Sequence, residues 1–360
     1  MEEKKKRKVF VGVSGGVDSS VSLALLKEQG YDVTGVFIRT WQPDFIECTW
    51  RDERRDAMRV CAELRVPFLE CDLEQAYKDK VAMYMIEEYR KGRTPNPDVM
   101  CNKEVKFGGF LDFAIKHGAD YIATGHYAQR IDNVNGTPEL CMGHDTNKDQ
   151  SYFLWTLTHE QLSKTLFPVG HLEKSEVRKL AEKYNLSTAT KKDSQGVCFL
   201  GMIDMKDFLA HYIEKKEGIV LDENGNAIGI HQGVLFYTLG ERHGFTITQK
   251  GTLDKPYYII KKDVQNNTMT VTQQNQLVDS MLDTDMPILV SQTIWRTPID
   301  ASKKYMARVR YRQTLKECTV EILENNQARI IFSEPQTIAS SGQSIVVYDG
   351  TACIGGGIID

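Results

Sequence analysis

The chain has 360 residues, 45 of them Lys or Arg and 49 Asp or Glu, for a formal net charge of -4; 41% are hydrophobic and 26% charged. This is the composition of a globular protein of two or three domains, and it excludes a surface that is basic all over while leaving room for a local basic face. No apolar run approaches the roughly 18 residues that span a bilayer, and the basic start from Met1 to Lys8 lacks the apolar core of a signal peptide, so the expected location is the cytoplasm, with no membrane contact.

The first stretch that carries chemistry is Gly12-Val13-Ser14-Gly15-Gly16-Val17-Asp18-Ser19-Ser20. Val9-Phe10-Val11 feeds it, and an apolar-rich helix follows from Val21 to Leu26. Strand, small-residue turn and helix in that order make an anion site from backbone N–H groups and the positive end of the helix dipole. Ser14, Ser19 and Ser20 add hydroxyl donors without bulk. No Gly-Lys-Ser/Thr follows the glycines, so this is not a Walker A loop. Residues 31–39, including Ile38, predict a second strand. Residues 51–65 predict a helix whose Ala57, Val60, Cys61 and Leu64 recur at helical spacing, which assigns Cys61 to the core. Residues 68–72 predict a third strand. A long helix with Tyr77, Val81, Tyr84 and Met85 on one stripe follows, ending near Gly92. Helix–strand alternation of this kind implies a doubly wound parallel sheet, with ligands at the carboxyl ends of its strands.

Thr94-Pro95-Asn96-Pro97-Asp98-Val99-Met100-Cys101-Asn102-Lys103 has two prolines within three residues, which predicts a stiff extended loop. Residues 104–117 read as the next helix. Cys101 then stands at or just before a helix N-terminus, where the dipole and Lys103 would lower its thiol pKa; the alternative is a structural turn with a buried Cys. A fourth strand over 119–124 leads to Gly125 and His126. Gly125 admits close approach of a nucleotide, and His126 is either a donor or stacking group or a satisfied structural partner. Residues 127–142 predict a β-hairpin turning at Asn133 to Gly136. Lys148, Asp149 and Gln150 lie in a polar loop that either meets phosphate or base edges or is simply solvated. Residues 175–184 predict a helix with Arg178, Lys179 and Lys183 outward. Cys198 lies between Gly196 and Gly201, in a small-residue loop suited to an accessible thiol. The eight cysteines are dispersed without a Cys-x-x-Cys pair, so most are expected to be reduced, buried, small hydrophobes.

Beyond Met202 the pattern changes. Residues 201–280 read as a small mixed domain, with a hairpin turning at Gln265 to Asn267. Residues 281–360 read as short strands suited to a compact β-barrel. In Ala307-Arg308-Val309-Arg310-Tyr311-Arg312 strand alternation would place Arg308, Arg310 and Arg312 on one face. That face is either a solvated edge or an RNA-binding surface, and RNA phosphates offset the repulsion among aligned arginines.

Ser14 to Ser20 resembles the pyrophosphate (PP) loop of the ATP pyrophosphatases, a HUP-like fold. Together with Gly92 to Asp98, Cys101 to Glu104, Thr124 to Tyr127, Asp149 to Leu154, Gly196 to Phe199, Tyr311 to Gln313 and Gly355 to Gly357, it makes the whole chain similar to the tRNA-specific 2-thiouridylase family. The resemblance implies a catalytic domain over 1–200 and ATP with Mg²⁺ held by Gly12, Val13, Ser14, Gly15, Gly16, Val17, Asp18 and Ser19. Ile38 and Gly125 would meet the adenosine part. It implies a persulfide on Cys198, a transient disulfide between Cys101 and Cys198, and Asp98 as general acid/base. Asn96, Pro97 and Asp98 would lie against the target base. His126, Lys148, Asp149, Gln150, Arg308, Arg310, Tyr311, Arg312 and Gln343 would contact tRNA. No protein metal-ligand cluster is implied. The partners implied are tRNAs for Lys, Glu and Gln and a persulfide donor such as a cysteine desulfurase or sulfur-relay protein. An amidating synthetase of the same fold would leave both cysteines unexplained, an RNA-binding module without chemistry would not need the loop, and an iron–sulfur thiolase would need three or four convergent thiolates.

Overall fold

A computed structural model describes residues 6–46, 50–192, 204–248, 255–274, 286–336 and 339–360. The chain divides into two compact units: Met1–Ala82, Pro97–Met202 and Tyr348–Gly355 form one, and Met83–Asn96, Ile203–Val347 and Gly356–Asp360 the other.

The first unit is built on a parallel sheet. Its strands are β1 (Lys8–Gly12), β2 (Asp32–Arg39), β3 (Phe68–Asp72), β4 (Tyr121–Ala123) and β7 (Thr165–Leu166), in the order β3-β2-β1-β4-β7. Val9, Phe10 and Val11 of β1 are at most 1% exposed, as a central strand covered on both faces requires. Between β4 and β7 the chain makes the hairpin β5 (Ala128–Asp132) and β6 (Pro138–Met142), joined at the Asn133 turn. Helix α1 (Val17–Glu28) buries Val21, Leu23, Ala24 and Leu26. It is flanked by α2 (Trp50–Glu63) and α3 (Lys174–Lys183), which add Ala57, Val60, Cys61, Val177 and Ala181 to one core. The sheet order reverses at β1, so the loops after β1 and β4 open side by side at the switch point, where such sheets bind ligands.

In the second unit, β8 (Gly218–Leu221), β9 (Ala227–His231), β10 (Thr246–Ile247), β11 (Tyr258–Asp263) and β12 (Thr268–Thr272) form a five-stranded mixed sheet. The strands β13 (Ile288–Trp295), β14 (Tyr305–Arg308), β15 (Lys316–Ile322), β16 (Ala328–Phe332), β17 (Ser344–Asp349) and β18 (Ala352–Ile359), of which Tyr348–Gly355 count with the first unit, form a barrel in the order β13-β16-β15-β14-β17-β18, closed by pairing of β13 with β18, and the same sheet continues from β18 to β6 and β5. The doubly wound sheet, the mixed middle sheet and the terminal barrel are the expected fold class.

Two local expectations are corrected. The Thr94 to Lys103 stretch is not extended throughout: helix begins at Pro97–Met100 and continues as a wider π-type helix over Cys101–Gly109, then as α-helix over Phe110–Lys116. Proline is well suited to a helix's first position, where its missing N–H has no partner to lose. Cys101 is therefore the fifth helical residue rather than an N-terminal one, and it is 2% exposed. At that position the helix dipole does not activate the Cys101 thiol, because its field acts within the first turn.

The second correction concerns the arginines. Strand β14 stops at Arg308, which is buried at 4%. Gln313 Oε1 accepts from Val309 N at 3.0 Å and closes a turn in which Arg312 has φ +62. Arg310 donates to the Leu239 carbonyl at 3.0 Å. Arg308, Arg310 and Arg312 thus do not line one strand face, and of the three only Arg312 is exposed.

Candidate active site

The PP loop is held in shape by its own serines. Ser14 N donates to Ser19 Oγ at 3.3 Å, Ser20 Oγ donates to Gly16 O at 2.7 Å, and Gly15 adopts a left-handed φ of +70. Gly16 caps α1, so the loop's amides and the helix's positive end face the same space. Ile38 on β2 and Gly125 after β4 flank this loop. An added Cβ on Gly12 would sit 3.5 Å from Ile38 Cδ1, and one on Gly125 would sit 2.7 Å from Ser19 N. Gly125 is thus needed for packing against the start of α1.

Asp18 is the most heavily engaged group in the loop. Lys174 Nζ donates to its two oxygens at 2.6 and 2.8 Å, and the Tyr127 hydroxyl donates to Oδ1 at 2.7 Å. Lys174 Nζ also lies 5.7 Å from the Tyr127 ring centroid. Neither Lys174 nor Tyr127 was legible as a site residue. Lys174 opens α3 after a turn, which reads as an ordinary charged first turn. Arg178 and Lys191, on the same side, are tied down: Arg178 donates to the Ala189 and Lys191 carbonyls, and Lys191 pairs with Asp56 at 2.7 Å.

Asp98 sits in the first helical turn after Pro97, and burial raises its carboxyl pKa, with Lys106 acting in the opposite direction. His126 is 8% exposed, with Nδ1 2.8 Å from Thr124 Oγ1 and its ring packed against Phe107 and Phe167. Burial first, and Lys106 second, hold its pKa well below 6.5, so the imidazole is neutral. Lys106 therefore acts on both groups, a link that no local pattern announced. The helix carrying Cys101 reaches His126 through Phe107, and Phe110 Cε1 is 3.5 Å from where a Gly12 Cβ would stand. It thereby packs onto the flank of the Gly12–Ser20 loop.

Asp149 is 1% exposed and accepts from Gly143 N, Ser151 N and Ser151 Oγ. Gln150 Oε1 accepts from Tyr127 N at 3.0 Å. These two side chains organise their own loop, while Lys148 is partly exposed. In the second unit, Gln343 Nε2 donates to the Thr94 carbonyl at 2.7 Å and the Pro95 carbonyl at 3.2 Å, and the Arg312 guanidinium lies 5.1 Å from the Tyr311 ring centroid. Asn96 is partly exposed. Cys198, and with it the expected pairing to Cys101, lies outside the described residues. The six described cysteines are buried thiols. Among the described residues no group of three or more His, Cys, Asp or Glu converges on a metal position, and no helix is long and apolar enough to cross a membrane.

A serine-lined anion loop at the switch point of a parallel sheet, followed by a mixed sheet and a closed barrel, defines a HUP-class nucleotide-binding protein. Residues 7–202 match the family described as tRNA methyl transferase HUP domain, 206–273 its PRC-barrel domain, and 287–359 the aminomethyltransferase beta-barrel domain. The chain is 45% identical over 363 residues to the tRNA-specific 2-thiouridylase MnmA of Streptococcus equi subsp. zooepidemicus, covering 100% of this chain and 96% of that protein. It is 45% identical to the protein of that name from Alkaliphilus oremlandii, covering 99% and 98%, and 46% identical to that of Shigella dysenteriae, covering 98% and 97%. The chain belongs to the tRNA-specific 2-thiouridylase (MnmA) family, a family of tRNA sulfurtransferases.

Proposed function

We propose that this chain uses ATP to replace the 2-oxygen of the wobble uridine of tRNA with sulfur. The observation that carries the reading is the Gly12–Ser20 loop at the sheet's switch point, in a chain that matches named 2-thiouridylases along its whole length. The loop residues Gly12, Val13, Ser14, Gly15, Gly16, Val17, Asp18 and Ser19 bind the ATP phosphates, with Ile38 and Gly125 beside the adenosine. The Ser14 and Ser19 hydroxyls are oxygen donors that suit Mg²⁺, a hard cation that completes its shell from phosphates and water and would neutralise phosphate charge there; the Asp18 carboxylate is already engaged by Lys174 on both oxygens and by Tyr127.

In the first step the uridine 2-oxygen attacks the α-phosphorus of ATP and pyrophosphate leaves. The carbonyl oxygen becomes part of an AMP leaving group. In the second, the terminal sulfur of a Cys198 persulfide attacks C2 and AMP departs. The Cys101 thiolate then attacks Cys198 Sγ, breaking the S–S bond to the transferred sulfur and leaving a thiocarbonyl and a Cys101–Cys198 disulfide. Alternatively Cys101 acts first and the sulfur arrives as hydrosulfide. Either way two thiols become a disulfide, and the sulfane sulfur is reduced. Asp98 moves the proton at the base, a role its raised pKa favours, and Asn96, Pro97 and Asp98 lie against the extruded base. His126, Lys148, Asp149, Gln150, Arg308, Arg310, Tyr311, Arg312 and Gln343 remain the proposed tRNA side. Asp149 and Gln150 hold backbone of their own loop, so their role is to shape it next to RNA rather than to reach the RNA. Domains over 1–200, 201–280 and 281–360, acceptor tRNAs for Lys, Glu and Gln, a persulfide-donating partner and a cytoplasmic location complete the reading.

The test is 2-thiouridine formation on unmodified tRNA with ATP and a persulfide donor, for the wild type and for Cys101→Ser and Cys198→Ser. Both variants are expected to lose thiolation while keeping tRNA-dependent pyrophosphate release in the first turnover. Full turnover by either variant overturns the sulfur-relay assignment.

A further inference from the structure

Within the first unit, helix α2 meets the Gly12–Ser20 loop along an acidic edge. A Cβ added to Gly15 would sit 2.6 Å from the Glu53 carbonyl oxygen and 3.0 Å from Asp56 Cβ, so the loop lies against the turn that carries both acids. A triphosphate in the loop would bring its negative charge to a flank that already holds two carboxylates, and like charges at such range repel. Two cations answer Asp56: Arg59 Nη1 at 3.1 Å, one turn further along α2, and Lys191 Nζ at 2.7 Å. Burial raises the Glu53 carboxyl pKa, with Lys191 pulling it down and Asp56 pushing it up, so Lys191 acts on both acids of the edge. Its backbone is fixed from α3, where Arg178 Nη1 donates to the Ala189 carbonyl at 2.8 Å and the Lys191 carbonyl at 2.6 Å. Its side chain is not sealed in, being 39% exposed against 15% for Lys174.

We infer that Lys191 is a further phosphate-binding residue of the ATP loop, anchored by Arg178 and held at the Gly15 flank by Asp56. An ammonium group carries three donors, and the Asp56 bond takes one of them. The others can turn to a phosphate without breaking that bond. Lys174, by contrast, is committed to both oxygens of Asp18. Helix α3 and the segment after it thus bring one lysine to the Asp18 side of the loop and another to the Gly15 side. The inference rests on the proposed use of ATP and deepens it.

The experiment measures Kd for ATP with Mg²⁺, and for adenosine, in the absence of tRNA. It compares wild type with Lys191→Met, Lys192→Met and the double variant Lys191→Met, Asp56→Asn. Lys191→Met is expected to weaken ATP by roughly 10- to 100-fold, the range of a lost hydrogen bond between charged groups, with adenosine within about twofold. Lys192→Met removes the same charge one residue on, at an exposed position where salt screens it, and should stay within about threefold for ATP. The double variant should bind ATP as weakly as Lys191→Met. Recovery in the double variant overturns the inference, because Lys191 then acts only by neutralising Asp56. Equal weakening in Lys191→Met and Lys192→Met overturns it as well, since that is a general field, and so does an unchanged ATP Kd in Lys191→Met. Wild-type protein that binds no ATP removes the proposed function and this role together, whereas each of the other results decides Lys191 alone.

Discussion

Lys174 Nζ lies 2.6 Å from Asp18 Oδ1, joining the first turn of one helix to the first turn of another across 156 residues. With the Tyr127 hydroxyl at 2.7 Å, it fixes the carboxylate at the head of the PP loop. Removing one partner of such a charged pair costs more than the pair contributes, because the remaining charge stays in place without its counterpart. Lys174→Met is expected to lower kcat/KM for ATP by on the order of 10²-fold, about 2.7 kcal/mol. Tyr127→Phe, which removes one neutral donor, should have a smaller effect. Initial rates at varied ATP check the ranking, and a Lys174→Met enzyme with normal ATP kinetics would refute it.

Gly125→Ala places a methyl carbon 2.7 Å from Ser19 N and 2.8 Å from the Asp18 carbonyl carbon, both backbone. Backbone cannot step aside as a flexible side chain can, so the start of α1 must shift. The expected outcome is a loss of about 1–3 kcal/mol in stability and weaker ATP binding. Urea denaturation and ATP titration of the same variant measure the two effects.

Burial raises the Asp98 carboxyl above its ordinary range, against the pull of Lys106. A raised carboxyl keeps its proton to higher pH and becomes available as a base only above that point. Single-turnover thiolation should therefore rise with pH through an inflection higher than the roughly 3.9 of an ordinary Asp. Asp98→Asn should abolish that inflection and lower the rate by about 10²–10⁴-fold. A rate profile identical to wild type in Asp98→Asn would remove Asp98 from the chemistry.

His126 supplies the opposite sign. Its pKa is held well below 6.5 in the folded chain by burial and by Lys106. Below the unfolded value near 6.5 the unfolded state binds the proton and the folded state does not, so stability falls as pH drops. Between pH 6.5 and the folded pKa this group contributes a slope of up to about 1.4 kcal/mol per pH unit. His126→Asn, which does not titrate, should flatten the acid limb of a denaturation-versus-pH series relative to wild type. An unchanged limb would show that the imidazole does not carry it.

Much of this was legible in the sequence because burial is periodic. Val9-Phe10-Val11 is apolar on both faces and becomes the central strand. Ala57, Val60 and Cys61 recur at helical spacing and enter one core, and the small residues from Gly12 to Ser20 mark the strand-to-helix turn. Period-two alternation, however, reads the same in a strand and in the turn that ends it, so Arg308, Arg310 and Arg312 looked aligned until the Gln313 side chain closed the turn. Two prolines gave the same ambiguity. Pro97 stops an extended segment or starts a helix with equal ease, and here it starts one, which buries Cys101 in the fifth helical position.

The sequence alone determined most of the local units, among them the central strand, the helices of the first core and the small-residue turn from Gly12 to Ser20, since these depend on residues within a few positions of one another; the helix start at Pro97 and the end of β14 at Arg308 it left open. Only the tertiary structure decided which distant groups meet. Lys174 on Asp18, Lys106 acting on both Asp98 and His126, and Gln343 on Thr94 are pairings of charge and hydrogen bond set by the path of the chain. Such pairings leave no periodic trace, because a single donor reaching a single acceptor constrains the identity of one residue and the spacing of none.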